Sequence, residues 1–229
     1  MLFKSGIITQ GSGSFGGLTA SHNRGGMYFR ARTIPTNPNT AFQVVVRVAT
    51  ANLVNLWQSI LTQAQRDEWE VYAANVAFIN RLGDPTFLSG LNQYVRSNVP
   101  RIQAGLTRLD DAPSVFNTGD FTQVTFVATE TAQITSIAFD NTDVWANETG
   151  SSLVVYISRP QNDTINFFQG PYRFAGTIDG DDTTPPTSPA AVPAPFAFVE
   201  DQKLFGYVRV TRVDARLSTK QDFETISLS

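Results

Sequence analysis

The hydrophobic period of this chain changes once, between residues 107 and 121, and that change decides most of what it can fold into. From Phe42 to Leu106 apolar side chains recur at the three- and four-residue spacing of a helix face. From residue 121 onward, short runs rich in Val, Ile, Thr, Phe and Tyr alternate with turn residues. Helices gathered ahead of strands predict an α+β fold. The first 39 residues follow neither period. Glycine stands at 6, 11, 13, 16, 17, 25 and 26 and proline at 35 and 38, with short apolar pieces between them. This suits an extended arm with occasional strand pairing better than a self-contained domain. Ordering such a segment costs about 1–2 kcal/mol of backbone entropy per residue, so an ordered arm implies contacts from elsewhere, other chains included. Three regions are therefore expected: an extended basic Gly-rich arm at 1–39, a helical region at 40–112 and a β domain at 113–229.

In the helical region one stripe runs from Phe42 through Val45, Val46, Ala49, Leu53, Leu56 and Trp57 to Ile60, with Thr40 placed to cap its start. The run Val44, Val45, Val46 keeps a strand reading open. Thr62-Gln63-Ala64-Gln65 is a capping-box sequence, and the helix it opens carries Trp69, Tyr72, Ala73 and Val76 on one face. Gly83-Asp84-Pro85 predicts a turn. Ser89 then caps a third helix with Leu91, Tyr94, Val95, Asn98, Ile102 and Leu106 in phase, broken or kinked near Pro100. Trp57, Trp69, Tyr72 and Tyr94 are the expected joint of this small bundle.

The β region offers seven candidate strands, at 121–129, 133–140, 152–159, 164–169, 172–178, 204–213 and 222–228. Alternation is clear where Val208 and Val210 oppose Arg209 and Thr211. Asn147-Glu148-Thr149-Gly150 reads as a hairpin-type turn, and the proline-rich segment 183–195 as an extended, exposed loop. Seven short strands predict an antiparallel β-sandwich of the Ig-like or fibronectin-like kind.

Charge is distributed as unevenly as periodicity. Residues 1–66 hold six basic side chains and no acidic one, while the remainder holds eleven basic and twenty acidic, so +6 faces −9. That asymmetry predicts a polyanion or a head-to-tail partner of opposite sign. Lys4, Arg24, Arg30 and Arg32, with Tyr28 and Phe29 beside them, are the arm residues able to grip either. They are sparse for a nucleic-acid arm, so a protein partner is the leading expectation and nucleic acid the second.

The chemical inventory is short. Cysteine is absent, which removes disulfides, thiolate metal sites and cysteine nucleophiles. His22 is the only histidine, and it lies in the glycine-rich arm, a poor support for a general base. Gly11-Ser12-Gly13-Ser14-Phe15-Gly16 matches a dinucleotide-binding string, but no helix is expected after it and no acid precedes Asp67. Asp179-Gly180-Asp181-Asp182 lacks the spacing of a calcium loop. Asn147-Glu148-Thr149 and Asn162-Asp163-Thr164 fit the glycosylation pattern, yet the amino terminus lacks a signal-peptide stretch and no apolar run reaches membrane-spanning length. The expectation is a non-enzymatic protein without cofactor or metal, made in a cytoplasm.

One ordered set of residues carries a resemblance. It comprises the glycine-rich start with Gly25-Gly26-Met27-Tyr28-Phe29-Arg30-Ala31-Arg32, then Pro35-Thr36-Asn37-Pro38-Asn39-Thr40 with Gln43 and Arg47. Trp57, Leu61-Thr62, Gln65-Arg66, Trp69, Tyr72-Ala73 and Gly90-Leu91-Asn92-Gln93-Tyr94 complete it. Over residues 11–95 this order resembles a poorly characterised family of structural proteins from tailed-phage and prophage-like genomes. The resemblance implies a virion structural component (capsid-associated, decoration or cement, neck or tail) acting through contacts with its own copies and other particle proteins. It brings no catalytic residues and does not extend to the β region. Two other readings stand beside it: a nucleic-acid-binding protein using the basic arm, and a carbohydrate-binding or adhesive β module presenting Trp145, Tyr156 and Tyr172.

Overall fold

The computed structural model describes residues 13–23, 26–34, 36, 37, 39–79 and 85–228. The chain divides after Thr40 into two compact units.

The first unit is a three-stranded antiparallel meander, β1 (Gly13–Phe15), β2 (Leu18–Asn23) and β3 (Gly26–Ala31). Phe15 pairs with Leu18 across Gly16 and Gly17, and Gly16 takes a positive φ of 54°, which the first position of such a two-residue loop demands. The Arg32 amide closes the sheet onto the Gly17 carbonyl at 2.8 Å. A hairpin thus stands where a nucleotide-binding string would need a helix. His22 occupies a place on β2 opposite Met27.

The second unit holds three helices and the large sheet. Helix α1 (Ala41–Ser59) begins directly after Thr40 and runs through the three valines, so helical period outweighs their strand propensity. Helix α2 (Gln63–Asn75) opens on the expected capping box: the Gln65 amide donates to Thr62 Oγ1 at 3.3 Å, and the Thr62 amide donates to Gln65 Oε1 at 3.0 Å. Two-residue strands β4 (Phe78–Ile79) and β5 (Pro85–Thr86) precede α3 (Gly90–Gln103), which Ser89 caps.

Helix α3 departs from expectation twice. It continues through Pro100, which sits in its last turn, where the Ala104 amide reaches the Pro100 carbonyl at 2.9 Å and Leu106 reaches Arg101 at 2.8 Å. A proline so near the end disturbs only the final turn. Its buried face is also more polar than expected: Tyr94 and Asn98 are enclosed where the stripe places them, but so are Gln93, Ser97 and Arg101, while Ile102 is exposed. The partners are carbonyls of the loop that follows: Asn98 bonds both ways with Leu109, at 3.0 and 2.8 Å, and Arg101 Nε donates to the Thr107 carbonyl at 3.0 Å. These bonds satisfy Asn98 and Arg101 without apolar packing, while Gln93 Oε1 is buried without a donor among the described residues.

Seven strands follow: β6 (Thr125–Thr129), β7 (Ile134–Ala138), β8 (Ser152–Ser158), β9 (Tyr172–Asp179), β10 (Ala190–Pro193), β11 (Lys203–Thr211) and β12 (Gln221–Leu228). The α+β class holds, but the strands form one continuous mixed sheet in the order β10-β7-β6-β12-β11-β8-β9 rather than two antiparallel sheets. Strand β12 makes the turn: its first six residues pair antiparallel with β11, and Ser227 and Leu228 pair parallel with Ala128 and Thr129 of β6. The sheet curls almost into a barrel. Its two end strands approach, since a Cβ added to Gly176 of β9 would stand 3.0 Å from Val192 of β10.

Segment 164–169 is a loop, held by an Asx bond from the Thr164 amide to Asn162 and by the Tyr172 hydroxyl on the Phe168 carbonyl. The missing strand comes from the proline-rich segment instead. Strand β10 runs along the sheet edge, where Pro193 withholds no needed amide and Thr135 Oγ1 donates to the Val192 carbonyl at 3.1 Å. Residues 147–150 do turn, but they link strands that do not pair, so no hairpin forms there.

Two apolar cores result. Inside the curled sheet lie Leu153, Val155, Ile157, Leu204, Val208 and Val210 with Ile137, Ala128, Trp145 and Phe198. The helical core joins Leu53, Leu61, Trp69, Tyr72, Val76 and Tyr94, with Ala215 from the β11–β12 connection wedged in. All of β8 is buried: β9 and β11 flank it, the barrel core covers its inner face, and Tyr156 on its outer face bonds to Gln103 of α3.

Candidate functional site

The arm residues divide by position. Lys4 and Arg24 lie outside the described residues. Tyr28 and Phe29 are half-buried on successive positions of β3, so they point to opposite faces of the meander, and Arg30 and Arg32 are exposed. Ala20 is the only one of this unit's described side chains that is buried. Among its described side chains the meander therefore has two faces and encloses no core.

The helical joint does come together. Trp69 lies edge-on to Tyr72 at 5.9 Å and to Tyr94 at 5.5 Å, and Trp57 tilts against Tyr94 at 5.6 Å. Their polar atoms are engaged by the connecting loop: Trp69 Nε1 donates to the Asp110 carbonyl at 2.8 Å and the Tyr72 hydroxyl to the Asn117 carbonyl at 3.0 Å. The Tyr94 hydroxyl donates to the Asp110 carboxylate at 3.3 Å. Burial pushes the phenols of Tyr72 and Tyr94 up to about 12. These four rings form a packed core.

The acidic turn is spent on structure. Asp181 accepts from the amides of Thr183 and Thr184 at 2.7 and 3.0 Å, and Asp182 binds Thr149 Oγ1 at 2.7 Å. Among the described residues no group of three or more His, Asp or Glu side chains is placed to hold a metal ion. Trp145 is sealed in the barrel core at 1 % exposure, and Tyr156 is also buried, leaving Tyr172 the most open of the three rings. Glu148 and Arg212 form a two-point ion pair at 2.6 and 3.2 Å; the Arg212 carbonyl in turn accepts from Arg101 of α3, tying helices to sheet. No helix of the described residues is long and apolar enough to cross a membrane.

One feature with chemical potential escaped the sequence reading. A cleft of about 660 Å³ opens between the first half of α1, the end of α3 and the outer face of β8, β9 and β11. Its floor is aromatic: Tyr156 stacks on Tyr207 at 4.6 Å and 17°, and Tyr172 meets Tyr207 edge-on at 5.2 Å. Val45 and Val46 of α1 and Val95 and Val99 of α3 wall it. Arg96, Arg173 and Arg209 also line it, and no carboxylate does. The Arg173 guanidinium lies 5.3 Å from the Phe42 ring and that of Arg209 5.7 Å from Tyr207. Arg96 Nη1 and Arg209 Nε are buried without an acceptor among the described residues. Burial, together with the like charge of Arg209, draws the Arg96 guanidinium down to about 10. Sequence held one sign of this site, the outward Arg209 between Val208 and Val210; the other two arginines come from remote segments.

Comparison with models of protein families, with curated proteins and with solved structures gives no match.

Proposed function

We propose that this protein is a structural component of a phage-like particle, acting through subunit contacts and carrying out no catalysis. The observation that carries this reading is the meander of β1 to β3, which has three ordered strands and Ala20 as its one buried described side chain. A three-stranded sheet that encloses no apolar face among its described side chains has little stability of its own, so in this reading a neighbouring subunit supplies the cover. Exposed Arg30 and Arg32 suit the acidic remainder of a second copy. The structural use of the acidic turn and the aromatic joint also supports a non-catalytic role.

In the same reading the curled sheet serves as the sandwich-like module of the Ig or fibronectin kind. Its halves, β10-β7-β6-β12 and β12-β11-β8-β9, face each other across one core and share β12. Carriage in the virion after synthesis in the host cytoplasm belongs to this proposal. The test is removal of residues 2–32. The shortened protein is expected to keep its cooperative melt and lose self-association in sedimentation velocity; unchanged association would defeat the reading.

A further inference from the structure

The cleft arginines break a pattern that the other enclosed arginines of the described residues keep. Arg212 grips Glu148, Arg108 grips Asp110 at 2.8 Å and Arg216 grips Asp214 at 2.7 Å. Arg101 has the carbonyls of Thr107 and Arg212, and Arg66, although its Nε is bare, donates through Nη2 to the Leu61 carbonyl at 2.8 Å. Among the described residues Arg96 and Arg209 have neither a carboxylate nor a carbonyl partner. Their nearest compensation is aromatic: the Arg96 guanidinium sits 3.7 Å from the Phe78 ring. Asp222, whose charge is felt at Tyr172 and Tyr207, is held by Lys220 at 2.9 Å.

Two half-enclosed guanidiniums of like sign, with bare N–H groups and no counter-charge on the cleft wall, destabilise a fold unless something else pairs them. Their fork geometry fits the oxygens of a carboxylate, sulfonate or phosphate. Apart from Gln103, whose Oε1 accepts from the Tyr156 hydroxyl, the rest of the wall is apolar and aromatic, and the volume falls in the range of small-molecule sites.

We propose that this cleft binds an amphiphilic anion, whose charged head is held by Arg96 and Arg209 and whose apolar or aromatic body lies between the Tyr156–Tyr207 stack and the valines of α1 and α3. Arg173, over Phe42 at the rim, closes the open side. The occupant is a small molecule of fatty-acid or aromatic-acid type, and the site does not depend on the assembly reading.

Fluorescence titration of the full chain with 8-anilinonaphthalene-1-sulfonate tests this, with sodium laurate as competitor and the uncharged N-phenyl-1-naphthylamine as control. The expected result is saturable binding of one sulfonate per chain. Sulfate should displace it at constant ionic strength where chloride does not. Arg96→Met and Arg209→Met should each weaken it about ten- to hundredfold while leaving the uncharged probe unaffected. Displacement by laurate marks a fatty-acid type of ligand; displacement by 1-naphthoate alone marks an aromatic acid. Arg159→Met, at a site stacked on Phe196 away from the cleft, should change nothing.

Equal affinity for the sulfonate in wild type and both methionine variants would overturn the proposal, as would the absence of saturable binding. The melting temperature supplies a second reading. Without ligand the methionine variants should melt at or above the wild type, because an unpaired half-buried charge has been removed. Should a variant fail to fold, displacement by sulfate in the unaltered protein still decides, since failure of sulfate to compete means that no anion subsite exists.

Discussion

Single residues in this protein are constrained most tightly where backbone passes close to backbone. A Cβ on Gly180 would lie 2.0 Å from the Trp145 carbonyl oxygen, and one on Gly206 would lie 2.4 Å from that of Tyr156. Neither backbone can yield without moving a core strand or the Trp145 ring. Gly180→Ala is expected to cost about 2–3 kcal/mol, visible as a lower urea midpoint. Neither constraint could be read in the sequence, where Gly180 looks like an ordinary turn glycine between aspartates.

Titration adds two expectations. Burial works against ionisation of Glu148, but its bonds from Arg212 and Ser151 prevail and hold its carboxyl below the usual range; the bond from Arg108 does the same for Asp110 despite partial burial. A depressed folded-state value means stability that is complete above the unfolded value, near 4 to 4.5, and lost as pH falls through the folded one. Acid unfolding should set in below about pH 4, and Glu148→Gln should flatten that slope while costing about 2–3 kcal/mol at neutral pH. At the alkaline end, Tyr72 and Tyr94 are raised to about 12, mainly by burial. The unfolded chain releases these protons near pH 10, so stability is intact below that value and falls between pH 10 and 12. Tyrosinate absorbance should rise for these rings together with loss of the fold.

At the scale of elements, the local signals came true in part. The capping box of α2 needed only four residues to be recognised, and it formed as expected. Thr62→Ala should cost about 1 kcal/mol, measurable as a small drop in melting temperature. Helix α3 was legible in extent and only partly in facing: Tyr94 and Asn98 point inward as expected, but Arg101 replaces Ile102 there because carbonyls of Thr107 and Arg212 satisfy it, partners that no periodicity announces. Strand β10 was hidden for a related reason: prolines mark the segment as a loop, yet an edge position tolerates them. Helix α1 leaves Phe42, Val44, Val45, Val46 and Val48 between 41 and 57 % exposed. Val45 and Val46 line the cleft, whereas Val44 and Val48 do not. Val44→Lys is therefore expected to leave ligand affinity and stability within about 0.5 kcal/mol of wild type.

The whole molecule was legible as a class and not as a topology. Helices followed by strands implied α+β, and six of the seven expected strand positions are occupied. The closure of those strands into one curled sheet turns on β12 leaving β11 for β6 at Ser227, a long-range choice that alternation along a strand does not encode. The candidate ligand site was the least legible, since it is assembled from α1, α3, β8, β9 and β11. The candidate assembly surface was more so: glycine content and the acid-free stretch before Asp67 set residues 1–39 apart, and the chain divides after Thr40.

Sedimentation velocity of the full chain and of the chain lacking residues 2–32, over a hundredfold range of concentration, tests the assembly account most directly. The full chain is expected to associate as concentration rises, more weakly as salt screens Arg30 and Arg32, and the shortened chain to remain a folded monomer throughout. A full chain that stays monomeric at every concentration, or a shortened chain that associates just as well, would contradict it.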